Sequence, residues 1–66
     1  MMEYRGLYIL PKMSVEPKTF RRWYCDIYRP LGEGLARTDC YKHRSTSISI
    51  AKILVDHRRH EWRVSA

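Results

Sequence analysis

Sixty-six residues make one small domain, which buries only about 60% of its unfolded surface and leaves little room for a deep catalytic cleft that excludes water. Thirteen Lys and Arg against seven Asp and Glu give a net charge of +6 and a pI near 9.8, so the expected partners are polyanions, nucleic acid ahead of anionic membrane or acidic protein. Two cysteines are too few for a disulfide scaffold, no run approaches about 18 apolar residues, and no long apolar stretch follows a basic start; no membrane span or signal peptide is expected, and the expected compartment is the cytoplasm.

The first element is a strand from Tyr4 to Leu10, rich in aromatic and branched residues. Pro11 is expected to end it. A loop follows from Pro11 to Thr19, holding Lys12, Ser14 and Lys18. The second strand runs from Phe20 to Arg29, with Trp23, Cys25 and Ile27 on one parity and Tyr24, Asp26 and Tyr28 on the other. Pro30 and Leu31 lead into Gly32-Glu33-Gly34. A two-residue Gly32-Glu33 turn of type II′, with glycine at the position of positive φ, would join this strand to a third from Leu35 to Lys42. Ser45, Thr46 and Ser47 offer helix N-caps, since a short hydroxyl side chain accepts from the free N–H groups of the first turn. The helix is expected from about Ser47 to His60. Its branched Ile48, Ile50, Ile53 and Val55 lower its intrinsic propensity, so packing must hold it.

The helix is amphipathic. Ile50, Ala51, Ile53, Leu54, Val55 and Trp62 form one arc, and Lys52, Asp56, Arg59 and Arg63 the opposite one. The turn places Cys25 opposite Cys40, Ile27 opposite Thr38 and Tyr24 opposite Tyr41. Trp23, Ile27, Ile50 and Leu54 are then expected to pack together. The other sheet face would carry all five tyrosines, Tyr4, Tyr8, Tyr24, Tyr28 and Tyr41, with Arg22 and Arg37. Asp26 would face Asp39, a like-charge pair that Arg37 could neutralise diagonally or that a turn longer by one residue would remove.

This aromatic and basic face suits nucleic acid, because rings stack on unpaired bases and Arg pairs with phosphates or guanine edges. It equally suits a second copy or a protein partner, since amphipathic tyrosines also cover thin sheets and interfaces. Arg58 and Arg59, with His57, His60 and Arg63, make a basic helical end. That end reads as phosphate contact or as complementarity to the negative end of the helix dipole. Cys25, Cys40, His43, His57 and His60 offer no closed four-ligand spacing, so no metal or other cofactor is expected. Cys25 and Cys40 read best as reduced, apolar side chains, with a cross-strand disulfide the other option. There is no glycine-rich phosphate loop, hydrolase elbow or facing carboxylate pair, so no enzyme activity is expected.

The run Trp23, Gly34-Leu35-Ala36-Arg37-Thr38, Tyr41 and Ser45, followed by an Ile/Ala helix, resembles the short YegP-like β-β-β-α domains over about residues 20–56. The Asn-Gly turn usual in those domains is absent. The layout is also similar to the N-terminal arm-binding domain of phage-type tyrosine recombinases and to AP2-like domains. These insert the sheet face away from the helix into the major groove. That resemblance implies Arg22, Tyr24, Tyr28, Arg37 and Tyr41 as reading residues, in a stand-alone module without a recombinase catalytic region. The expected fold is therefore α+β, a three-stranded antiparallel meander with one C-terminal helix on one face. The expected function is a small nucleic-acid-binding or regulatory module, DNA favoured over RNA. The alternative is a protein-interaction module or homodimer that buries the tyrosine face.

Overall fold

A computed structural model describes residues 1–64 of the chain. Four strands precede one helix: β1 (Met2–Tyr4), β2 (Leu7–Met13), β3 (Trp23–Tyr28), β4 (Gly34–Arg37) and α1 (Arg44–Arg58), with a 3-10 turn at Pro17–Thr19. All pairings are antiparallel, and the spatial order of the strands is their chain order. The α+β class and the single helix agree with the sequence; the strand count is four, not three.

The expected first strand is in fact a hairpin. Arg5 and Gly6 take φ of 51° and 85°, the left-handed pair that a type I′ turn uses. Tyr4 then lies opposite Leu7 and Met2 opposite Ile9. Arginine stands where asparagine or aspartate usually marks such a turn, so the signal was weak. Pro11 does not end the strand but sits within β2, opposite Cys25. The Ser14 N–H donates to the Arg22 carbonyl at 2.7 Å. By the alternation of an antiparallel ladder, even residues of β2 bond to β3 and odd residues aim outward. Pro11 therefore lacks its N–H on the side where no strand needs one, past the end of β1.

The β3–β4 connection is also longer than the glycines suggested. The Gly32 N–H donates to the Arg29 carbonyl at 2.9 Å and the Arg29 N–H to the Glu33 carbonyl at 2.8 Å. Pro30 holds the second turn position, which its fixed φ suits, and Gly32 closes the turn at φ 100°. Tyr28 then pairs with Gly34 and Ile27 with Ala36, leaving Leu35 as an extra residue. This bulge restores the alternation that the longer turn had shifted. Ala36 stays on the helix side and Arg37 on the open side, now directly opposite Asp26. A second extra residue follows. The Thr38 N–H donates to the Cys25 carbonyl, yet Tyr41, not Cys40, pairs with Trp23.

The helix starts at Arg44, one turn earlier than expected. Its N-cap is His43, without a side-chain cap bond, and its first turn holds no acidic residue. Ser47 is not a cap but a core residue. Its hydroxyl donates to the Arg44 carbonyl at 2.7 Å and accepts from the Cys25 thiol at 3.4 Å. Ser47, Ala51 and Val55 form the buried stripe. The small first two let the helix approach β2 and β3 closely, and Leu7, Ile9, Cys25, Ile27 and Trp62 complete the core. The stripe is narrower than the expected arc: Ile53 is 52% exposed. Of the four residues expected to pack together, Ile27 is fully buried, while Trp23, Ile50 and Leu54 are half-buried. Trp62 tucks back beneath the sheet, its carbonyl accepting from Arg29 Nη2 at 2.6 Å.

Candidate nucleic-acid interface

The sheet face away from α1 presents Tyr8, Leu10 and Lys12 from β2, Tyr24, Asp26 and Tyr28 from β3, and Arg37 from β4. Tyr8 lies opposite Tyr28, and Lys12 opposite Tyr24. Two expected members are missing. Tyr4, paired with buried Leu7, points to the helix, and its hydroxyl donates to the Asp56 carboxylate at 3.0 and 3.1 Å. Tyr41, paired with Trp23, borders the cleft between β4 and α1 beside Ile50 and Leu54. The two corrections have different causes. At Arg5-Gly6 the chain folds back on itself, so Tyr4 shares the face of its partner Leu7 and not that of Tyr8; between Thr38 and Tyr41 one extra residue moves Tyr41 to the other face.

Asp26 is the electrostatic centre of the face. It is nearly buried, with its carboxylate held by Arg37 Nε at 2.6 Å, Arg37 Nη2 at 3.2 Å and Lys12 Nζ at 3.1 Å. Burial pushes this carboxyl up, but the hydrogen bonds from Arg37 and Lys12 outweigh burial and hold it below the usual carboxylate range. The same hydrogen bonds raise both cations. The expected clash of Asp26 with Asp39 does not occur, because the shifted register puts Arg37 there. Arg37 also lies over the Tyr24 ring, 4.7 Å from its centroid. Its side chain remains 62% exposed, so the guanidinium is presented to solvent while anchored.

The face divides into two halves. Lys12, Tyr24, Asp26 and Arg37 form the polar half. Met1, Tyr8, Leu10, Tyr28 and Pro30 line a shallow apolar hollow of about 310 Å³ on the other.

The remaining candidates scatter. Arg22 is exposed just before β3, on the parity of Tyr24. Arg58 and Arg59 lie at the end of α1, behind the sheet. Arg58 pairs with Glu61 at 3.0 Å and covers the Trp62 ring at 5.1 Å. Lys52 covers Tyr4 at 5.4 Å instead of pairing with Asp56, which binds Arg5 at 2.9 Å. Cys25 and Cys40 are free thiols that do not face each other; Thr38 stands opposite Cys25 and its hydroxyl accepts the Cys25 N–H at 2.9 Å. Lys12, read as a loop residue, proves central to the site. The signal for it was present in the sequence as the strand parity of Tyr8, Leu10 and Lys12, and Pro11 masked it.

Among the described residues, no group of three His, Cys, Asp or Glu is placed to hold a metal ion, and no buried side-chain polar atom lacks a partner. No helix among them is long and apolar enough to cross a membrane. Comparison with protein-family models, curated proteins and solved structures finds no match to this chain.

Proposed function

We propose that this chain is a small, non-catalytic nucleic-acid-binding module, with the open sheet face as its contact surface. The observation that carries this reading is the anchored Arg37 guanidinium lying over Tyr24 on the sheet face away from the helix, in a chain of net charge +6. Arg37 offers donors to a phosphate or a base edge. Tyr24, Tyr8 and Tyr28 offer rings to bases. The groove-inserting sheet of AP2-like domains is similar in layout and makes DNA the first ligand to test. An anisotropy titration with duplex and single-stranded probes at low salt tests the reading. Tyr24→Ala or Tyr28→Ala should weaken single-strand binding by roughly 1–3 kcal/mol if bases stack there. Absence of any binding tighter than about 100 μM, the weak end of non-specific affinity, removes the proposal.

The apolar hollow of Met1, Tyr8, Leu10, Tyr28 and Pro30 favours a second reading, a protein partner or second copy covering that half of the face. On that reading Tyr8→Ala and Tyr28→Ala abolish association measured by sedimentation, and added salt does not.

A further inference from the structure

The open face carries little free charge, because Asp26 takes up both Lys12 and Arg37. Among the described residues, Arg5, Arg29 and Arg58 are ion-paired as well, leaving eight of the thirteen Lys and Arg without a carboxylate partner. Those eight are not spread evenly. Arg21 and Arg22 directly precede β3, Lys42 directly follows Tyr41, and Arg44 opens α1. Trp23 and Tyr41 tie these two segments together, exchanging N–H to carbonyl bonds of 2.6 and 2.7 Å. The bridge brings its flanking residues, Arg22 and Lys42, to the same end of the sheet, with Arg21 and His43 one residue further out.

All of these side chains are exposed. Arg44 lies over the Trp23 ring at 5.9 Å and Arg21 over the Phe20 ring at 5.4 Å. Phe20 is itself 58% exposed. Stacking on aromatic carbon fixes a guanidinium without neutralising it, unlike a carboxylate partner. Arg21 holds a left-handed backbone at φ 65°, its N–H bonded to the Ser14 carbonyl at 3.1 Å. The hydroxyls of buried Ser14 and half-buried Thr19, 2.7 Å apart, close the loop behind it. Of the acidic residues around these segments, Asp26 is taken up by Lys12 and Arg37, and Glu16 and Asp39 form no ion pair among the described residues.

We infer that this end of the sheet, built from Arg21, Arg22, Lys42 and Arg44 beside exposed Phe20, is a second contact surface that grips the phosphodiester backbone of the nucleic acid. The inference rests on the proposed function and divides it. The basic end supplies affinity and salt dependence, and the Tyr24–Arg37 half of the face meets the bases. Both lie on one continuous path, since Arg22 and Tyr24 share a parity along the same segment. Four cations within two bridged segments match the dense, regular charge of a nucleic-acid strand better than a single bound anion.

The test compares two charge-matched double variants by anisotropy, using a labelled oligothymidylate strand and a mixed-sequence duplex over a series of salt concentrations. Lys42→Gln/Arg44→Gln should reduce the slope of log affinity against log salt by about 1.4 to 1.8, two phosphates' worth. Lys52→Gln/Arg63→Gln removes the same charge elsewhere and should leave the slope within error of the parent. Arg21→Gly, which suits the left-handed backbone, should lower the slope by a further single phosphate's worth. Circular dichroism melts confirm that each variant is folded. Equal slopes for the two double variants overturn the basic end while leaving the proposed function standing. Parent protein that binds neither probe overturns both. Binding to phosphatidylglycerol vesicles with no binding to either oligonucleotide overturns both in favour of a membrane surface.

Discussion

Asp26 is the residue on which structure and binding pull in opposite directions. Its carboxylate is nearly buried and held by Arg37, Lys12 and the Tyr28 hydroxyl, and it also cancels charge on the surface proposed to meet an anion. Asp26→Asn should destabilise the fold by roughly 1–2 kcal/mol, less than the loss of a wholly buried pair, because Lys12 and Arg37 can return to water. The same substitution should tighten nucleic-acid binding and steepen its salt dependence, since both cations are released; weaker binding by a folded variant would count against the open face. The pH dependence has a definite sign. A carboxyl held below its usual value stabilises the fold fully above the unfolded pKa, about 3.9 for Asp, and loses that contribution as the pH falls through the lower folded value. Melting temperatures of parent and Asp26→Asn protein should therefore begin to converge below about pH 4 and meet only below the folded value. The cysteines make a second residue-scale case. Burial raises the Cys25 thiol, partly offset by the Ser47 hydrogen bond, whereas Cys40 is only half-buried. A thiol reagent should label one cysteine in native protein and two after denaturation. Two fast native reactions would show that the β3–α1 packing is wrong.

At the scale of elements, β4 depends on its bulge. Leu35 is the residue that turns a three-residue loop into a strand with Ala36 inward and Arg37 outward. Leu35→Ala only trims a half-buried side chain, but deleting Leu35 would swing Arg37 toward the core and Ala36 toward solvent. The deletion should prevent folding, while the alanine variant should melt cooperatively with a modest loss. Similar melting points for the two would refute the bulge. The helix makes a parallel point. Ile27→Ala, beneath α1, should cost about 2–5 kcal/mol, while Ile53→Ala, on the exposed side, should cost under about 1 kcal/mol. Chemical denaturation measures both.

The whole molecule is thin. Among the described residues seven apolar side chains form the buried core, and stability in a domain of this size is a small difference between large terms. Binding to the folded state alone should therefore be visible thermally. An oligonucleotide at about a hundred times its dissociation constant adds about 2.7 kcal/mol, which corresponds to a rise of roughly 10 °C or more for a domain of this length. Tight binding without that rise would mean that the unfolded, basic chain is what binds.

Read alone, the sequence determines the class and the layers: one helix on an antiparallel sheet, Trp23, Cys25 and Ile27 toward the helix, and Tyr24, Asp26 and Tyr28 away from it. These follow from short-range periodicity, which a single chain displays in full. Register was legible only in part, because the parity of β4 survived by two compensating shifts. A longer turn displaced it and Leu35 restored it. Tyr41 was displaced by one inserted residue, Tyr4 by the turn at Arg5-Gly6, and Pro11 was misread because its outer side needs no N–H. One inserted residue reverses a face, and nothing local distinguishes an arginine in a type I′ turn from an arginine in a strand. The pairing of charges was the least legible property. Which cations Asp26 neutralises, and which remain free at the end formed by Arg22 and Lys42, depends on contacts between segments far apart in the chain. Composition counts those charges; only the tertiary fold decides where they are left uncompensated.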